Sequence, residues 1–188
     1  FITDTHYYSR KVGTSGKAYD KAESKSQKVI KDTDLVIKAG FDMLCEDKST
    51  DIVVLAGDTT RDGEIESHKE FIEMLRDLKK RGKRVYVITA THDFRDHGVA
   101  NGYDGDKQIE VPAVEDRHDL WDMYYEFGPN EAIATHPDSM SYVVQLAPGY
   151  RLFALNDDTN YKPEGESGSG FSDDCMNWIM EQLEDAKK

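Results

Sequence analysis

The chain has 188 residues, enough for one ordinary domain with a real core, and its 38% hydrophobic content and mean hydropathy of −0.70 describe a polar but not disordered protein. Asp and Glu number 37 against 24 Lys and Arg, and the net charge of −13 repels nucleic-acid phosphates, which argues against nucleic-acid binding. It does not exclude a small phosphate ester, because bound metal ions reverse the local field.

Phe1-Ile2-Thr3 reads as the end of a strand whose beginning is missing. Residues 7–33 are polar, rich in Lys, Ser and Gly, and predict a long loop leading into a helix. Asp34 to Glu46 is that helix, with Leu35, Val36, Ala39, Phe41, Met43 and Leu44 as its apolar face. Ile52 to Ala56 is a continuous apolar run stopped by Gly57, the pattern of a buried parallel strand. Glu64 to Lys80 predicts an amphipathic helix with acids in its first turn, Lys79-Lys80-Arg81 at its end and Gly82 beyond. Val85 to Ile88 is the next strand. Helix, strand, helix, strand over 34–90 predicts an α/β fold with parallel strands.

Residues 96–118 change texture, with many Gly and Asp, and predict an insertion over the active face. Within it, Tyr103-Asp104-Gly105-Asp106 lacks the spaced acids of a calcium loop and reads as a solvated turn. Trp121 to Phe127 predicts a short helix. Ser141–Leu146 and Tyr150–Leu155 predict a hairpin around Pro148-Gly149. A glycine-rich loop spans 156–170, and a last helix opens on Ser172 with Met176, Ile179, Met180 and Leu183 on one face. That helix ends at Lys187-Lys188 with no strand after it, so both ends read as cut, and a leader or anchor ahead of residue 1 is compatible with the chain. Residues 1–188 show no signal peptide and no apolar run near the ~20 residues of a membrane span. With no internal repeat, they read as one domain. Cys45 and Cys175 predict buried free thiols rather than a disulfide.

Three short segments follow the predicted strands: Asp4-Thr5-His6, Gly57-Asp58 and Thr91-His92-Asp93. Ligands of open α/β sheets bind at the carboxyl ends of the strands, where all three fall. Asp4 and His6 are two apart, so on an extended strand end they point the same way and grip one ion. Asp58, after a glycine that lets the chain turn, has two oxygens with which to bridge two ions. Carboxylate with imidazole suits Mn, Fe or Zn better than Ca. Two such ions polarise a phosphoryl group and acidify water. His92 is then placed to protonate a leaving oxygen, with Asp93 to orient its ring.

This order of motifs resembles the calcineurin-like metallophosphoesterases, whose pattern is D-x-H, GD and GNH-D/E, followed by a single His and GHxH. The motifs cover residues 1–95, and Leu155-Asn156-Asp157 and the Trp178 helix are similar in texture. The resemblance implies a four-layer α/β/β/α sandwich with mixed sheets. It implies a dinuclear centre that hydrolyses phosphate mono- or diesters by attack of a metal-bound hydroxide. Asp4 and His6 would hold the first ion, Asp58 would bridge, position 91 would hold the second, and His92 would protonate the leaving group.

Two departures bear on activity. Thr91 stands where the family has Asn, either as a weaker ligand or as a turn hydroxyl, and no GHxH occurs in residues 1–188. About half the ligand set is present, which predicts weak metal binding or none, and little activity, for this stretch alone. The alternative to an enzyme is a binding domain that keeps the fold without the second ion. Arg61 either helps hold a phosphate or pairs with Asp62 or Glu64. His97 and His118 line the cleft or lie on the surface. His68 reads as structural and His136 as surface. Substrate choice would lie in the loops at 7–33 and 96–118, and no partner protein is implied.

Overall fold

The structure is a computed structural model that describes residues 1–26, 28–157 and 170–187. The chain forms two compact units, Phe1–Leu120 and Trp121–Lys188. The first is built on β1 (Ile52–Ala56) and β2 (Arg84–Ile88), which pair in parallel from Ile52 opposite Arg84 to Ala56 opposite Ile88. Parallel neighbours need a crossover, and α3 (Ile65–Lys80) provides it. Its buried row of Ser67, His68, Phe71, Ile72, Leu75 and Leu78 follows helical periodicity. The residues at the amino terminus run beside β1 in the same direction. Ile2 bridges Leu55 and Tyr7 bridges Thr60, although Phe1-Ile2-Thr3 is a single bridge rather than the expected strand.

Helix α2 (Thr33–Glu46) forms where predicted, with a different face inward. It buries Thr33, Ile37, Phe41 and Cys45, an i, i+4 row, while Leu35, Val36 and Met43 are 58–71% exposed. Contact along one such row is too narrow to cover the apolar side chains a turn to either side.

The expected loop over 7–33 contains a helix, α1 (Lys17–Lys25). Its apolar content is low, but it is concentrated: Tyr19 is buried with Tyr8, Val12, Ile30 and Tyr103, and Ala18 and Ala22 pack on that cluster. Tyr103 comes from the 96–118 excursion, which is an antiparallel hairpin of β3 (Val99–Asp104) and β4 (Lys107–Pro112). Gly105-Asp106 makes its turn, where Asp106 accepts from the Lys17 amide at 3.0 Å. Gly13 lets the two excursions meet: a Cβ there would lie 1.9 Å from the Tyr103 carbonyl oxygen.

Helix α4 (Arg117–Met123) starts earlier than the expected Trp121–Phe127. The Asp116 side chain accepts from the His118 amide at 2.8 Å and starts the turn there. In the second unit, β5 (Ala132–His136), β6 (Ser141–Ala147) and β7 (Tyr150–Ala154) form an antiparallel sheet in that order. The β6–β7 hairpin is the predicted one, and β5 is an addition to it. His136 is 6% exposed, not on the surface. Its Nδ1 lies 2.9 Å from Ser139 Oγ and its Nε2 3.0 Å from Asp174 Oδ2, with the ring against Trp178.

Helix α5 (Asp173–Ala186) is capped by Ser172, whose hydroxyl accepts from the Cys175 amide at 3.1 Å. Of its expected face only Ile179 is buried, while Met176, Met180 and Leu183 are 41–52% exposed. Most of the loop expected over 156–170 lies outside the described residues. Cys45 and Cys175 are free and buried, as expected. No helix of the described residues is long and apolar enough to cross a membrane.

Candidate metal centre

The parallel segments 1–7 and 55–60 end in two turns that face one another. The Asp4, His6 and Tyr7 amides donate to the carbonyls of Gly57, Asp58 and Thr59 at 2.9–3.2 Å, so each step of one segment is tied to the other. Asp4, His6 and Asp58 have φ of 53°, 41° and 50°. They are three of the four non-glycine residues in this left-handed region among those described. Asp and His tolerate it better than most residues, but it costs of order 1 kcal/mol at each position. The expected extended geometry at Asp4 and His6 is therefore corrected: the side chains converge because the chain coils. Gly57, with φ 82°, precedes the third of these turns, and a Cβ there would lie 2.7 Å from Ala90 Cβ.

The ligand atoms of Asp4, His6 and Asp58 all lie within 4.8 Å of one another. His6 Nε2 is 3.6 Å from Asp4 Oδ1 and 3.7 Å from Asp58 Oδ2. His6 Nδ1 faces the Thr60 carbonyl at 3.3 Å. Nε2 is the ring nitrogen turned toward the carboxylates, while Nδ1 lies between the Thr60 carbonyl and the Lys28 ammonium. Burial first, then the Lys28 ammonium, hold the imidazole below its ordinary pKa, in the neutral form a metal needs. Two carboxylates and one neutral imidazole form a hard donor set suited to a divalent ion.

His92 stands beside this cluster, its ring edge-on to His6 at 5.0 Å between centroids. Its amide donates to Asp58 Oδ1 at 3.2 Å. Its Nδ1 lies 2.8 Å from the Arg61 carbonyl and 3.2 Å from Asp62 Oδ1, and its Nε2 faces Lys28 Nζ at 3.5 Å. Asp93, expected to orient this ring, does something else. It is fully buried and accepts from Thr59 Oγ1, from the Thr60 amide and hydroxyl, and from the Ala90 amide. The imidazole is oriented by Arg61 and Asp62 instead. Beneath Asp93, fully buried His68 lies 2.8 Å from the Asp93 carbonyl oxygen and is structural, as expected. Thr91 opens the Thr91–Asp93 turn and is exposed, as are His97 and His118; His118 pairs with Asp116.

Arg61 pairs with Asp62 at 3.8 Å, as expected, and is also stacked between the rings of Tyr8 and Tyr103. Two further cations were not legible in the sequence. Lys28 Nζ lies 3.0 Å from His6 Nδ1 and 3.5 Å from His92 Nε2. Burial draws its ammonium below the usual lysine range; Asp58 and Asp4 oppose this, while Arg61 and Arg95 reinforce it. Arg95 pairs with Asp62. Neither residue sits in a motif, and only the fold carries the turn after α1 to His92.

Behind the site, Glu64 is wholly buried, and burial raises its carboxyl to about 7. Its folded value lies above its unfolded one, so stability is full below pH ~4.5 and declines as pH rises toward 7. The difference corresponds to about 3 kcal/mol. Glu64→Gln should flatten this decline, which thermal melts at pH 5 and pH 8 would detect. An equal decline in the variant would refute the assignment.

In comparison with known proteins, the family model for calcineurin-like phosphoesterases matches residues 1–181. No curated protein matches the chain.

Proposed function

Because the chain belongs to the calcineurin-like phosphoesterase family, we propose that it is a metal-dependent hydrolase of phosphate mono- or diesters. The observation that carries this reading is the convergence of Asp4, His6 and Asp58 within 4.8 Å on three left-handed backbone positions. Strain of this kind collects at functional sites, and nothing in the packing of a plain turn calls for it three times. When bound, divalent ions supply Lewis-acid polarisation of the phosphoryl group and an acidified water. Asp4, His6 and Asp58 would hold the first of two ions, and Asp58 and Thr91 would contribute to the second. Mn, Fe and Zn suit these donors.

His92 carries the proton question. With Nδ1 fixed by Arg61 and Asp62, Nε2 is the atom that would pass a proton to the leaving oxygen. Asp93 serves this by holding the Ala90–Asp93 turn rather than by touching the ring. On this reading residues 1–188 are one domain of the four-layer sandwich type, with 96–118 inserted beside the site. The family match extending across both compact units supports that.

The exposed Thr91 favours a second reading, a binding domain with at most one ion and little turnover. Turnover of an aryl phosphate and an aryl phosphodiester with Mn, Fe or Zn, together with ions bound per chain, separates the two. The enzyme reading expects metal-dependent release of the aryl alcohol that disappears with a chelator. No metal-dependent release in the intact protein would contradict it.

A further inference from the structure

We propose that Lys28, Arg61 and Arg95 form a cationic collar that binds the dianionic phosphoryl group of a phosphate monoester, making monoesters rather than diesters the preferred substrates; this rests on the metal-dependent reading above. The three cations are strung across one His–Asp pair. Arg61 Nε lies 3.8 Å from Asp62 Oδ2, Arg95 pairs with Asp62 Oδ1, and Lys28 Nζ lies 3.5 Å from His92 Nε2. Asp62 in turn contacts His92 Nδ1 at 3.2 Å.

Arg61 and Arg95 share the Asp62 carboxylate and Lys28 faces imidazole nitrogens, so three cations stand against one carboxylate in a chain of net charge −13. Asp4 and Asp58 do not neutralise the excess, because the divalent ions they would hold at least match their two charges. The collar then keeps a surplus of two positive charges, the charge of a monoester phosphoryl group. A diester carries one.

The donors also have unused capacity. Arg61 Nη1 is buried without a hydrogen-bond partner, on a side chain only 12% exposed. Lys28 has no carboxylate within ion-pair distance among the described residues; its two neighbours are imidazole nitrogens. Arg61 is fixed between two tyrosine rings, which pre-organises its guanidinium. Lys28 comes from the segment after α1 and Arg95 from the segment after the Thr91–Asp93 turn, so the collar meets the His92–Asp62 pair from two parts of the chain.

The test uses Mn-loaded protein at pH 8 with inorganic phosphate, a dianion, and dimethyl phosphate, a monoanion, as calorimetric probes. Mn binding is titrated first. Phosphate is expected to bind more tightly than dimethyl phosphate. Lys28→Met and Arg95→Met should each weaken phosphate roughly ten- to a hundredfold, the loss for one charge-assisted hydrogen bond, with a smaller effect on dimethyl phosphate. Lys28→Arg should retain phosphate binding, and Lys21→Met, an equal charge change on exposed α1, should leave it unchanged. Melting temperatures confirm that each variant folds, and Lys28→Arg stands in should Lys28→Met fail.

Failure of the wild type to bind Mn would overturn the metal reading and the collar with it. Mn binding with equal affinity for the two probes, or with phosphate affinity indifferent to both methionine variants, would overturn the collar alone.

Discussion

Asp58→Asn is expected to weaken divalent-metal binding by at least about a hundredfold and to abolish metal-dependent turnover, because even outer-sphere partners of a ligand are worth ten- to a hundredfold. Asp58 is the member of the cluster whose carboxylate joins His6 to the His92 turn. Its Oδ2 lies 3.7 Å from His6 Nε2, and its Oδ1 accepts from the His92 amide at 3.2 Å. Asn has the same size, can accept from His92 through its carbonyl and tolerates the left-handed backbone at φ 50°, so the fold should survive. What it removes is one of two negative charges, leaving Asp4, whose side chain is 60% exposed, and a neutral imidazole. Calorimetric titration of Mn into both proteins checks this. Equal affinity in the variant would place the ion elsewhere.

The largest effect on stability is expected at Asp93, where replacement by Ala should cost about 3–5 kcal/mol. Its carboxylate is fully buried and receives hydrogen bonds from three residues, Thr59, Thr60 and Ala90. Those bonds join the end of β1 to the turn that carries His92. Truncation would remove the shared acceptor of two amides and the Asp93 partner of the Thr59 and Thr60 hydroxyls. Denaturant titration measures the loss, and a variant within 1 kcal/mol of wild type would show that other groups hold the turn. Asp93→Ala should also lower turnover by releasing His92, whereas a residue orienting the ring directly would change turnover at little cost in stability.

These two carboxylates mark how far the sequence could be read. The alternation of α2, β1, α3 and β2 was legible because Ile52–Ala56 and Val85–Ile88 are unbroken apolar runs between periodic helices. Asp4, His6 and Asp58 were legible as a group because strand ends of a parallel sheet converge. The backbone that aims them was not: left-handed φ at three polar residues has no pattern in composition or spacing. Asp93 was misassigned because adjacency to His92 in sequence says nothing about direction, and a tight turn sends the two side chains opposite ways.

The inward face of α2 was misread for a related reason. Leu35, Val36 and Met43 are as apolar as Ile37 and Phe41, and only the neighbouring helix decides which row is covered. His136 looked like a loop residue beside Pro137, but Ser139, Asp174 and Trp178 give its ring a buried, fully bonded seat. Lys28 and Arg95 were invisible because an isolated basic residue in a polar stretch is ordinarily solvated.

The central claim is that Asp4, His6 and Asp58 hold a divalent ion within reach of His92. Anomalous diffraction at the Mn edge from crystals grown with MnCl2 tests it most directly. The account predicts a peak bounded by Asp4 and Asp58 carboxylate oxygens and His6 Nε2. Crystals that bind Mn elsewhere and show no peak at these three side chains would contradict it.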